Sequence, residues 1–449
     1  MKQNIADDVL KDTRVNSFHL MIMFWCSMLM LFDGYDLVIY GSVLPHLMSD
    51  WNLSPVAAGF IGSSALFGMM VGALTLGSSS DRFGRRKVIL TCLVFFSAAA
   101  LANGFSQNTT EFAVCRFLTG VGLGGMVPNI VSLMTEMAPP SKRNIMVTIM
   151  LSFYSVGGVI AAILGKTVTP EFGWRANFLI AGLPLLAFPL LYRWLPESIS
   201  FLAGKGRLSE AEPLVRRYAP QYQGSVVALE AVLGEGKGGS SQSRVAELFK
   251  HGRAVDTLLL WVAFGMCMLM VYGLNTWLPK LMAASGYSLG SSLSFLITLN
   301  VGAVVGGLCS GWLADRYGGK PTLILFFIVA AISIELLGYK QTPVVLNLLL
   351  AFAGATTIGT LCIVHAFAAQ LYASQVRSTG VGWAAAAGRL GAVSGPALGG
   401  YLLSQQFPNT FNFMVFAIPG VVAAIAVLLI SRQVHKEAGP VRTLASSIE

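Results

Sequence analysis

Runs of roughly 20 apolar residues, each long enough to cross a bilayer as a helix, recur along this chain. They fall near 18–44, 55–76, 88–105, 110–134, 145–167, 174–195, 255–281, 289–312, 321–340, 343–369, 378–402 and 409–431. The pattern predicts twelve spanning helices in two groups of six. The one long polar stretch, about 196–253, lies between the groups; its Gly/Ser-rich part (234–243) reads as a flexible linker preceded by a little amphipathic helix. The expected divisions are a tail (1–17), a six-helix bundle (18–195), a central loop (196–253), a second bundle (254–431) and a second tail (432–449).

Composition agrees with an all-α integral membrane protein. Only 11% of the 449 residues are charged and 55% are hydrophobic, where soluble domains carry about 25% charged residues. The formal charge of +9 is spread over short segments between apolar runs, a pattern of membrane topology that implies no nucleic-acid partner. Basic residues crowd alternate segments: Lys2, Lys11 and Arg14; Arg82 to Lys87; Lys142 and Arg143; the central loop; Arg316 and Lys320; Arg377; and the final tail. The other side holds only Lys166, Arg175, Lys280 and Lys340. This bias places both termini in the cytoplasm. The first run is long enough to span, so no cleaved signal peptide is expected.

The second half repeats the first. GSSSDRFGRRK (77–87) recurs as GWLADRYGGK (311–320), an offset of 234 positions. The same offset places LPHLM (44–48) on LPKLM (278–282), Gly68 on Gly302, Gly72 on Gly306, Arg143 on Arg377 and Gly157 on Gly391. Two parallel six-helix repeats are a plan in which a site lies between halves at the bilayer midplane.

The chemistry sits mostly in the first half. FDGYDLVIY (32–40) holds Asp33 and Asp36 inside an apolar run, although an ionised Asp at the centre of a span costs on the order of 3 kcal/mol. Three residues apart, the two share a helix face and form a coupled carboxylate pair able to take up and release a proton; which one holds the proton is left open by spacing alone. Their repeat mates are Cys267 and Met270, so packing common to both halves does not require them. Gly34 between them would admit close backbone approach. Arg116 and Arg389 also fall inside apolar runs, where a guanidinium can grip a substrate carboxylate by two hydrogen bonds; the alternative for Arg116 is a stabilising partner of Asp33 or Asp36. His365 is a candidate cavity residue, and Tyr154 and Trp383 are candidate ring-stacking residues. Glu136, at the end of the fourth run, suits either a gate salt bridge or proton work. The six cysteines all lie in apolar runs without metal-ligand spacing and read as small buried hydrophobes. No phosphate-binding Gly-rich loop is present for ATP drive.

Several of these words carry a family resemblance. The segment from Gly77 to Lys87, with Asp81, Arg82, Gly84, Arg85 and Arg86, resembles the loop signature of the major facilitator superfamily, with Ser79 where Leu is usual. RFLTGVGLG (116–124) is similar to its fourth-helix motif. DGYDLVIYG (33–41), LFGMM (66–70), FLTGVGLGGMVPN (117–129), LMTE (133–136), RSTGVGW (377–383) and Gly388–Arg389 resemble the aromatic acid:proton symporter family, its benzoate-transporter branch most of all. The resemblance implies import of an aromatic carboxylate with protons across the cytoplasmic membrane, driven by the proton gradient without a cofactor, and a monomer is expected. It implies proton coupling through Asp33, Asp36 and Glu136, and substrate contact through Arg116 and Arg389. Asp81, Arg82, Arg85, Arg86, Arg143, Asp315, Arg316 and Arg377 would hold the inward gate shut by charge contacts between halves. One motif points elsewhere: GAVSGPALGG (391–400) has a form associated with antiporters, but it sits in the eleventh run, where a packing and bending role is expected. Alternatives of other kinds are an exporter, a symporter of another organic acid, or a membrane chemoreceptor, the last lacking a signalling domain in the central loop.

Overall fold

A computed structural model of the chain describes residues 14–220, 245–250, 253–372 and 376–431, with the side chains of 377 and 378 left out. The expected Gly/Ser linker (234–243) and most of both tails lie outside the described residues. Twelve long helices follow in order: α1 Ser17–Asp50, α2 Pro55–Phe83, α3 Arg85–Phe105, α4 Thr109–Met137, α5 Arg143–Thr167 and α6 Trp174–Trp194 in the first half. The second half holds α7 Ala254–Ala284, α8 Leu289–Tyr317, α9 Gly319–Leu336, α10 Pro343–Leu371, α11 Arg377–Ser404 and α12 Asn409–Leu429. Eleven of them are long and apolar enough to cross a membrane. The remaining one, α11, has the length but is diluted by its glycines and Arg389.

Local signals account for the boundaries. Asn16 caps α1, accepting from the Phe18 and His19 amides; Ser54, Asn108 and Ser288 cap α2, α4 and α8 in the same manner. At the far end of α2, and again of α8, the chain turns through a glycine with positive φ: 94° at Gly84 and 90° at Gly318. A side chain would be strained in that region, so the loop signature is legible as backbone geometry in both copies.

The repeat governs packing. α1 packs on α5 as α7 packs on α11, α2 on α4 as α8 on α10, and α3 on α6 as α9 on α12. A Cβ on Gly68 would run into the Phe117 carbonyl, and one on Gly302 into that of Ala351, the two contacts again 234 positions apart. Small residues at such crossings let backbones approach where lipid supplies no hydrophobic drive between helices.

The halves meet through α2 with α11, α5 with α8 and α1 with α7. Most of this contact lies toward the side opposite the basic segments. There Ser63 Oγ donates to the Val393 carbonyl at 2.6 Å, Asn300 Nδ2 donates to Asn275 Oδ1 at 3.2 Å against Gly158, and Lys166 Nζ donates to Ser294 Oγ at 2.8 Å. The Gly-Pro motif of α11 belongs to this surface: Pro396 lies against Gly59 and Gly62 of α2, and its carbonyl accepts from Trp277 Nε1 at 2.8 Å.

After α6 the chain forms two short helices, Ile199–Gly204 and Leu208–Tyr218. The second docks on the first half. Asn16 Nδ2 donates to the Arg217 carbonyl at 3.0 Å, and the buried Tyr218 meets the His19 ring edge-on at 5.1 Å. Burial pushes the Tyr218 phenol up to about 12. This part of the central loop is therefore a folded attachment of the first bundle.

Candidate functional site

Asp33, Asp36, Leu37 and Tyr40 follow one another along one face of α1, as helical spacing requires, and all four line a small cavity near the middle of the bundle. Both carboxylates are 4% exposed. Arg116 reaches Asp36 from α4, with Nη1 donating to Asp36 Oδ1 at 2.7 Å, and its guanidinium lies over the Tyr40 ring, 5.4 Å from the centroid. This pair is buried on both sides, with side chains 3% and 5% exposed.

Asp33 differs. Its Oδ1 is buried and has no hydrogen-bond partner among the described residues, and the same holds for Arg389 Nη1 on α11. The Arg389 and Asp36 charges are the ones that act on Asp33. The site thus holds one closed ion pair, Asp36 with Arg116, and beside it Asp33 with a buried unpartnered oxygen, while Arg389 of the other half keeps an unpartnered nitrogen.

Two phenols complete it. Tyr154 comes from α5 and Tyr272 from α7, and both line the cavity. Gly34 permits this arrangement, because a Cβ there would collide with the Tyr154 carbonyl. The remaining volume is about 10 Å³, room for about one water, where a cavity that accepts benzene measures about 150 Å³. A ring can enter only if the walls part.

The other expected residues lie elsewhere. His365 sits on the exposed side of α10; its Nδ1 donates to the Leu361 carbonyl at 2.8 Å, its ring meets Phe264 edge-on, and the Arg389 charge acts on it. Trp383 does not line the cavity: it is 45% exposed and stacks on Trp261 at 6.0 Å. Glu136 is also remote from the aspartates. It pairs with Arg85 and accepts from Ser198 Oγ at 2.7 Å and from the Ser200 amide at 2.8 Å, so it anchors the segment that follows α6.

The loop charges likewise bond within their own half. Arg86 donates to the Tyr192 carbonyl and, through its amide, to Glu197. Arg82 lies over Phe83, and Arg316 over Trp312 and Tyr317. Asp81 and Asp315 are exposed and Arg143 is half-buried, while the Arg377 side chain lies outside the described residues. All ion pairs among the described residues fall within the first half and its following segment, so the charge contacts expected between halves are replaced here by contacts inside one. Among the described residues no ion pair joins the two halves on the basic side.

Sequence reasoning missed Tyr40, Tyr272 and Thr276, which also lines the cavity. Tyr40 was within reach, since it is seven residues from Asp33 on one helix face. Tyr272 carried no local signal, because its register mate is the apolar Val38.

Twelve long helices among the described residues, eleven of them apolar enough to span, in two repeats around a buried ionic and aromatic cavity walled by both halves, define a membrane transporter of the alternating-access class. A family model described as Major Facilitator Superfamily matches residues 26–308 and 290–447, and the chain belongs to that superfamily as a multi-pass membrane protein. It is 41% identical over 446 residues to the benzoate transport protein of Acinetobacter baylyi, covering 98% of this chain and 96% of that one. It is 32% identical to the 4-hydroxybenzoate transporter PcaK of the same organism, covering 96% and 95%. Among solved structures, the inward-open xylose transporter XylE from E. coli superposes with a TM-score of 0.73 at 21% identity, covering 92% of this chain and 96% of that one. That likeness describes the fold.

Proposed function

We propose that the protein imports an aromatic carboxylate of the benzoate or hydroxybenzoate type together with protons, across the cytoplasmic membrane, with both termini inside. The observation that carries this reading is the inequality of the two aspartates. Asp36 is committed to Arg116, whereas Asp33 and Arg389, one in each half, each keep an unpaired polar atom, and the Arg389 charge acts on Asp33. With Asp33 ionised, Arg389 has a resident anion. Protonating Asp33 removes that anion and frees the guanidinium for a substrate carboxylate, which it can take with two hydrogen bonds. Proton and anion therefore enter together, and one proton with one carboxylate moves no net charge. The cavity's phenols supply an aromatic wall, and the benzoate and 4-hydroxybenzoate transporters among the relatives support the substrate class.

The test is uptake of radiolabelled benzoate by proteoliposomes under an imposed pH gradient, competed with 4-hydroxybenzoate, protocatechuate and a non-aromatic acid. Accumulation that follows the gradient and yields to ring carboxylates alone is expected. Asp33→Asn should abolish accumulation, and full gradient-driven uptake in that variant would end its proton role.

A further inference from the structure

Along the cavity side of α1 the order is Asp33, Asp36, Tyr40, each about one helical turn from the next. Arg116 enters from α4 beside the middle one. Every hydrogen bond it makes among the described residues ends on Asp36: Nη1 on the carboxylate at 2.7 Å, Nη1 and Nη2 on the backbone carbonyl at 3.5 Å. Its Nε is buried without a partner, and so is Asp33 Oδ1 one turn away. A long side chain with an unused donor thus stands a turn from an unpaired carboxylate and does not take it. On the far side of Asp36 lies the Tyr40 ring, 5.4 Å from the guanidinium carbon, within the distance at which a ring face attracts a cation.

α2 fixes that ring. The Tyr40 hydroxyl donates to the Ala58 carbonyl at 2.5 Å, and a Cβ on Gly62 would lie 2.9 Å from Tyr40 Cε1, so only glycine leaves the ring its place. The repeat supplies an independent control. The register mates of Asp33, Asp36, Tyr40, Gly62 and Arg116 are Cys267, Met270, Leu274, Leu296 and Leu350. The ring, the glycine that makes room for it and the charges occur together in one half, and packing common to both halves requires none of them.

We propose that Tyr40 is the positioning residue that assigns Arg116 to Asp36 and so leaves Asp33 free to take up the transported proton. This rests on the proton-coupled reading above. The ring acts through Arg116, holding the guanidinium at the end of the face away from Asp33. The titratable and charged groups around Asp33 are Asp36 on its own helix, Arg116 of α4, Tyr154 of α5 and Tyr272 of α7, with the Arg389 charge of α11 acting on it. Of these, Arg116 is the one that Tyr40 holds.

The experiment follows gradient-driven uptake of radiolabelled benzoate against buffer pH in proteoliposomes of the full chain, corrected for protein-free liposomes. The variants are Tyr40→Leu, Tyr40→Met and Tyr40→Phe. With the ring gone, Arg116 is free to pair with Asp33, and a proton must then compete with a guanidinium for that carboxylate. The pH of half-maximal uptake is expected to fall by about one unit in the leucine and methionine variants, a tenfold change of the size a desolvated cation–ring contact carries. Phenylalanine keeps the ring face, so Tyr40→Phe is expected to keep the wild-type pH profile. A lower maximal rate with an unshifted profile in the leucine and methionine variants overturns the proposal, as does an equal shift in Tyr40→Phe. Uptake lost at every pH overturns it too, because a recaptured Asp33 must recover in acid. Wild-type protein that accumulates no benzoate overturns the substrate reading and this proposal with it, a result separate from the others.

Discussion

Arg116 and Asp36 stand 80 positions apart in the chain and meet at 2.7 Å inside the bundle, both nearly out of reach of solvent. Removing one member of such a pair leaves the other charge buried and uncompensated, at a cost of about 3–5 kcal/mol. Asp36→Asn and Arg116→Gln should each lower the thermal unfolding midpoint of the purified protein in detergent and abolish uptake. Replacing both with apolar residues of similar volume should recover most of the midpoint without recovering transport. A double variant as unstable as the singles would mean that the ion pair is not what the fold depends on.

Asp33 should respond in the opposite sense. Its Oδ1 is buried with no partner among the described residues, and an unpaired buried carboxylate is costly to keep. Asp33→Asn is expected to leave the unfolding midpoint level or raise it, while accumulation against a pH gradient is lost. A drop in the midpoint as large as that of Asp36→Asn would show that Asp33 is held as tightly as its neighbour.

The repeat makes a paired prediction about stability. Gly68 and Gly302 each press against a backbone carbonyl of the neighbouring helix, at matched positions of the two halves. Gly68→Val and Gly302→Val overpack their crossings and should each cost about 1–3 kcal/mol, by similar amounts, as read from unfolding midpoints. A strong effect in one copy and none in the other would separate the two crossings physically despite their shared register.

Glu136 holds the segment after α6 through Arg85, Ser198 and Ser200. Losing a charged hydrogen-bond network of this kind costs about 1.5–3 kcal/mol, discounted here because Arg85 is partly exposed. Glu136→Gln should speed limited trypsin cleavage after Lys205 and Arg207 roughly tenfold, about 1.4 kcal/mol of local opening. Turnover should slow while the number of protons per substrate stays the same, because Glu136 does not touch the aspartates. A changed proton ratio would return Glu136 to the coupling machinery.

Much of this molecule was legible in the chain because a bilayer imposes strong rules on sequence. An apolar run of fixed length, a basic bias on alternate segments and a duplicated motif at one register are one-dimensional signals, and they forecast twelve helices in two repeats. The carboxylates at 33 and 36 were legible for the same reason, since a charge in lipid is too costly to be incidental. Their absence from Cys267 and Met270 already separated function from packing.

What the chain could not display was which groups meet. Helical spacing put both aspartates on one face, but only the approach of α4 committed Asp36 to Arg116 and left an oxygen of Asp33 without a partner. Trp383 looked like a substrate-stacking residue until α7 placed Trp261 beside it, and only the fold showed that Glu136 meets Arg85 and the chain after α6. Tyr272 had no signal at all, because it reaches the cavity only where α7 packs against the first half. Sequence determined the spans, the repeat and the buried charges, since each is set by the cost of placing residues in lipid. The pairing of those charges, and the phenols that close over them, was decided by helix crossings between distant segments, where position along the chain carries no distance.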